Sequence, residues 1–161
     1  MNRMEHYLFG QMAFVRSQTL RAAGAVTEEI ADQIPEGFRN SIRWNLGHIY
    51  VIAERFYFQY LGLPMRMPEG FRDQFDNGTS PLNQSPASVP SLAELTELLG
   101  NQEERLRQLL SNRMQEQLVP PFTTSLGLTL GTPEQFVSFT LFHEGMHLAT
   151  IKTYLTLLSG Q

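Results

Sequence analysis

The sequence predicts an all-α protein, a single domain over residues 1–161 built as an up-down four-helix bundle with a long loop between its second and third helices. Two observations lead there. Four segments carry apolar residues at the three- and four-residue spacing of one helical face, and the stretches between them are rich in Pro, Gly, Ser, Thr and Asn. Only FTTSLGLTLGT, ahead of the last helix, has alternating character, too little for a substantial sheet. A chain of 161 residues, 42% hydrophobic, supports one continuous core and is short for two.

The first helix is expected from about Arg3 to Ala23, with Leu8, Met12, Val15 and Thr19 inward, Phe9 and Phe14 widening the apolar surface, and Gly24 near its end. His6, near its start among polar residues, is expected to be solvated or locally hydrogen-bonded. The segment VTEEIADQIPEGF is a short helical piece followed by a turn at Pro35 and Gly37. The second long helix is capped by Asn40 or Ser41 and runs to Leu61, stopping at Gly62 and Pro64. Its apolar residues cover most of its circumference, so it is buried on several sides, and His48 lies within that surface. Gly47 costs about 1 kcal/mol of helix propensity against alanine, which close approach of another helix would justify.

Residues 65–90 contain four prolines and many small polar residues and form a long connection, a lid or a spacer, not a core element. Ser91 and Glu94 make a capping box for the third helix, whose inward stripe is Leu92, Leu95, Leu99, Leu106, Leu109 or Leu110, and Met114. Its EER and RLR charges read as a solvated face. Pro120 and Pro121 end it.

The last helix, Thr132 to Leu158, opens with Thr132 as N-cap, Pro133 at the first position, Glu134 at the positive end and Gln135 completing a capping box; Gly160 closes it. One face carries Phe136, Phe139, Thr140, His143, Met146, His147, Thr150, Ile151, Tyr154, Leu155 and Leu158. Residues four apart on a helix differ by about 40° in direction and about 6 Å in rise, so His143 and His147 can converge on one ion. A histidine on an apolar stripe is more often a hydrogen-bonded core residue than a ligand. Burying two as neutral rings, however, demands several partners, whereas one divalent ion satisfies a nitrogen on each. If the second and last helices face each other, His48 joins the pair as a three-imidazole set with an open position, a catalytic pattern rather than a closed structural one.

Composition narrows the functional classes. Cysteine is absent, which excludes disulfides, thiolate ligands and a cysteine nucleophile and leaves histidine and carboxylate as the strong metal ligands. The net charge is −4, Lys152 is the single lysine, and no basic tract is interleaved with aromatics, so neither nucleic acid nor an anionic membrane is an expected partner. No run of about 18 apolar residues and no signal-peptide segment is present, which predicts a soluble, cytoplasmic protein.

HEGMH (His143 to His147) also fits H-E-x-x-H, the zinc metalloprotease helix with its glutamate as general base. That class needs a downstream ligand, and only LATIKTYLTLLSGQ follows, with no acidic residue or histidine. Trp44, Gly47 and His48 in RWNLGHI, with His143 and His147 near the end of a chain of this length, resemble the DinB/YfiT-like family. The resemblance implies a four-helix bundle, commonly a homodimer, with zinc or nickel held by His48, His143 and His147. It further implies a metal-dependent enzyme acting on a small-molecule substrate, with a low-molecular-weight thiol (S-transferase-like) or water (hydrolase) as nucleophile. The alternative is a non-catalytic metal-binding module in stress response or protein interaction.

Glu144, turned about 100° from His143, is open to several roles: support of a ligand, contact to another helix, a dimer face, or general base. Arg55, Tyr57 and Tyr154 are substrate contacts, or else packing or surface residues.

Overall fold

A computed structural model describes residues 5–160 of the chain. In order, α1 spans Tyr7–Ala23, α2 Glu28–Ala31, α3 Ile42–Glu54, α4 Phe71–Phe75, α5 Leu92–Leu110 and α6 Pro133–Ser159. A π-helical turn, Arg55–Gln59, continues α3, and a 3-10 turn lies at Pro81–Asn83. β1 (Phe122–Thr123) and β2 (Thr129–Leu130) form a two-stranded antiparallel ribbon with Phe122 opposite Leu130, the hairpin expected ahead of the last helix. The structure is therefore mostly helical. Helix α1 packs on α5 and α6, and α3 packs on the same two, so the four long helices close a ring around the core. Among the described residues no helix is long and apolar enough to cross a membrane.

Local chemistry sets the helix boundaries. α1 begins later than expected, and positions 3 and 4 of the expected helix lie outside the described residues. His6 is its N-cap: Nδ1 accepts from the Leu8 N–H, leaving Nε2–H to donate to Glu134 at 3.0 Å, which ties the start of α1 to the start of α6. Ser41 caps α3 by accepting from the Trp44 N–H, and all thirteen residues of α3 are buried, as its broad apolar surface predicts. Ser91 and Glu94 form the expected capping box of α5, but that helix stops at Leu110, and Leu109 is exposed while Leu110 is inside. At α6 the box is displaced. Thr132 makes no side-chain cap bond, and Gln135 reaches back to the Gly131 N–H instead.

Three expectations about inward faces require correction. On α1, Phe9 is buried but Phe14 is 65% exposed, and the stripe is completed by Arg16. On α6 the buried line is Phe136, Val137, Thr140, Glu144, Ile151, Tyr154 and Leu158; Met146 is 47% exposed, and His143 and His147 sit on the shoulder between core and surface. The 65–90 connection is not merely external, because α4 inserts Phe71 and Phe75 into the core beside α3.

The rotation of α6 follows from a buried polar network. Arg16 donates through Nε and a terminal nitrogen to both oxygens of Glu144, at 2.8 and 3.1 Å, and to the Leu99 carbonyl and Gln102 Oε1 on α5. Thr19 donates to Glu144 as well. Gln102 in turn donates to the Tyr50 carbonyl and to Glu54 of α3, and Glu54 receives the Arg66 N–H and Arg105. Two cations and two carboxylates are thereby matched inside the ring of helices, where an unpaired charge would cost several kcal/mol. Arg105 of the RLR run is thus a partner of buried Glu54 and lies over Phe58, not on a solvated face.

Candidate metal centre

The histidines meet between α3 and α6. His48 Nε2 lies 3.1 Å from His143 Nε2, and the ring centroids are 5.0 Å apart for His48 and His143 and 4.5 Å for each of the other two pairs. One nitrogen from each ring lies within 4.8 Å of the other two. The expected set of His48, His143 and His147 is therefore brought together, and it can hold a divalent ion.

The neighbours of each ring decide which nitrogen faces inward. His48 Nδ1–H donates to the Phe75 carbonyl at 2.7 Å, which leaves Nε2 with its lone pair toward the other histidines. Trp44 stacks flat on the same ring, 4.5 Å between centroids and 12° between planes, while its own Nε1–H donates to Thr79 in the 65–90 connection. His147 Nδ1–H donates to Asn45 Oδ1 at 2.8 Å. The orientation of Asn45 is itself fixed, since its Nδ2 donates to Asn40 Oδ1 and to the Ser41 carbonyl, and Tyr154 also donates to Asn40. A chain of hydrogen bonds from Tyr154 through Asn40 and Asn45 thus sets the tautomer of His147.

Electrostatics agree with this donor arrangement. Burial, then the adjacent His147 and His48, pushes His143 down to about 3; burial, then His48, pushes His147 down to about 4. His48 is also lowered, chiefly by burial, with the Phe75 carbonyl working in the opposite direction. All three are neutral near pH 7, as ligation requires. The donors suit a metal, and one spacing already matches: nitrogens about 2.0–2.1 Å from a tetrahedral ion lie about 3.3–3.4 Å apart, against 3.1 Å between His48 and His143 and up to 4.8 Å across the set.

Gly47 explains itself here. A Cβ at this position would stand 2.5 Å from the Phe75 ring, so the close approach inferred from the sequence is made by α4, and it is what brings the Phe75 carbonyl onto His48.

Glu144 is placed elsewhere. Its carboxylate is occupied by Arg16 and Thr19 on α1, so of the roles open to it the structure shows a contact to another helix. The zinc-protease arrangement is not formed: the third imidazole comes from upstream, on α3, and the motif glutamate is held in an ion pair.

Tyr57 is buried, and Tyr154 serves the Asn40 chain; both are internal residues. Arg55 does reach the site. It lines a cleft of about 490 Å³ together with His48, His143, Phe56, Tyr60, Phe122, Phe139 and Phe142. A second cleft, about 480 Å³, lies between the 65–90 connection and α5 and contains none of the three histidines.

Asn45, the Phe75 carbonyl and the Phe122 and Phe142 walls escaped the sequence reading. Asn45, three residues before His48 on the same helical face, was the one with a usable signal.

Three neutral imidazoles brought together beside an apolar cleft are an arrangement that fits the binding of a divalent metal. A family profile, that of the DinB superfamily, matches residues 11–151, and the chain belongs to that superfamily. No curated protein matches the chain.

Proposed function

We propose that this protein is an up-down four-helix bundle of the DinB type that binds zinc or nickel through His48, His143 and His147 and acts as a metal-dependent enzyme on a small molecule. The observation that carries the reading is the convergence of three neutral rings, two with their outer nitrogens tied down, beside a cleft large enough for a ligand. An all-imidazole donor set suits zinc or nickel and leaves a coordination position open. An ion held there lowers the pKa of a bound water or thiol and so supplies a nucleophile near neutral pH.

The chain's own residues do the rest. Phe75 and Asn45 hold His48 and His147 in the ligating tautomer, Trp44 fixes the plane of His48, and the aromatic walls exclude water from the bound substrate. With no cysteine in the chain, any thiol must come from outside, so the S-transferase-like reading takes a low-molecular-weight thiol as cosubstrate, with hydrolysis as the variant that uses water. Glu144 is assigned no proton transfer, because Arg16 and Thr19 occupy it.

The test is turnover by the metal-loaded protein on electrophilic acceptors with low-molecular-weight thiols, beside esters and amides without them. Metal-dependent turnover that is lost in His143→Ala supports an enzyme; no turnover across the panel supports a non-catalytic metal-binding module. A homodimer belongs to the same proposal, and a monomer mass by sedimentation at micromolar concentration counts against it.

A further inference from the structure

The cleft beside the histidines has a distinct chemical character at its far end. Among the described residues Arg55 is its only cationic lining residue, and no carboxylate lines it. Seven residues separate Arg55 from His48, close to two helical turns, so the two project from one face of the helix about 10 Å apart along its axis. The cleft is largely apolar: Phe56 and Phe139 stack 5.2 Å apart, and Phe142 and Met146 also line it.

Arg55 is ion-paired, but with a carboxylate that it shares. It donates to Asp76 at 2.6 Å and to the Tyr60 hydroxyl, which engages two of a guanidinium's five N–H groups, and its Nε–H is buried without an acceptor among the described residues. Asp76 also accepts from Arg72, so two cations share one carboxylate and the group carries a net positive charge. The terminal nitrogens keep two further N–H groups, and on a residue lining an apolar cleft these favour a ligand that brings its own acceptor.

The geometry points to an elongated aromatic carboxylate as the substrate class of this cleft, with its reacting end at the three histidines, its ring on the Phe56 and Phe139 walls and its carboxylate held by Arg55. This rests on the proposed function for the identity of the reacting end, but the Arg55 contact does not depend on a metal. Arg55 is then a specificity-determining residue, and the substrate's length is set by the two helical turns between guanidinium and imidazole.

Calorimetric titration of the full-length protein with biphenyl-4-carboxylate and with the neutral biphenyl-4-methanol tests this, before and after removal of metal with a chelator. Fluorescence of Trp44, the single tryptophan and stacked on His48, is the second readout. The carboxylate is expected to bind about tenfold tighter than the alcohol in both metal states, as a charge-assisted contact provides. Arg55→Gln should bring that ratio to about one while leaving the alcohol's affinity in place, and Arg55→Lys should retain part of the preference. Circular dichroism checks that both variants fold.

Three outcomes overturn the inference: a preference that survives in Arg55→Gln, a preference present only with metal bound, since the carboxylate would then be a metal ligand, or no binding of either probe up to its solubility. A chain that takes up no metal yet shows the Arg55-dependent preference would remove the proposed function and leave this inference standing.

Discussion

Replacing Gly47 with alanine adds one methyl group, and the structure says where it goes. The new carbon would lie 2.5, 2.5 and 2.7 Å from three atoms of the Phe75 ring, against about 3.5–4.0 Å for carbons in contact. The ring must therefore withdraw by about 1 Å. The nearest atoms include the ring carbon bonded to the side-chain stem, and Phe75 is buried against Phe71, so rotation alone gives little relief and the backbone of α4 has to move.

That backbone carries the carbonyl that fixes His48 at 2.7 Å. Overpacking of this kind costs about 1–3 kcal/mol, while the helix propensity of alanine returns about 1 kcal/mol, so the expected net loss is about 0–2 kcal/mol. Loss of an outer hydrogen bond on a ligating histidine lowers metal affinity by about 10- to 100-fold. Urea denaturation of the metal-free variant and competition with a chromophoric chelator measure the two effects separately. A variant as stable as the parent, with unchanged affinity, refutes the claim that α4 is wedged against Gly47 to position His48.

Asn45→Ala removes the acceptor that fixes His147 and should weaken metal binding by about 10- to 100-fold in the same chelator assay; an unchanged affinity contradicts the tautomer chain. Glu144→Ala strands the buried Arg16 guanidinium and should cost about 3–5 kcal/mol in urea melts, most of it recovered in Arg16→Met with Glu144→Leu. A single variant no less stable than the parent contradicts the ion pair. Stability of the metal-free protein should also fall with pH. His143 at about 3 and His147 at about 4 are depressed from 6.5, so as the pH drops below about 6.5 the unfolded chain binds protons that the folded one does not. Each contributes a loss of up to about 1.4 kcal/mol per pH unit until its folded value is reached. Urea midpoints measured from about pH 7.5 to about pH 4.5 check the sign, and a flat or rising profile on acidification contradicts neutral buried imidazoles.

What the sequence disclosed was local. The four-residue spacing of His143 and His147, the caps at Ser41 and Ser91 and the glycine beside His48 are all legible within a turn or two of chain, and each reappears in the structure. The inward face of α6 is not legible in the sequence, because Glu144 belongs to it only through Arg16, 128 positions away. Charge on Arg105 misled in the same way, its partner Glu54 lying on another helix. Phe75 acts through its main chain, and a carbonyl leaves no mark in a sequence. The 65–90 segment has the composition of a loop, yet two phenylalanines inside it anchor α4 and turn it into part of the site.

If three imidazoles from α3 and α6 form one metal site, elemental analysis of protein purified without chelator shows it most directly. The wild-type chain should carry about one divalent ion, falling to about a tenth or less in both His48→Ala and His143→Ala, because removing either ligand from a three-histidine set leaves too few donors. Near-stoichiometric metal persisting in both variants contradicts the assignment.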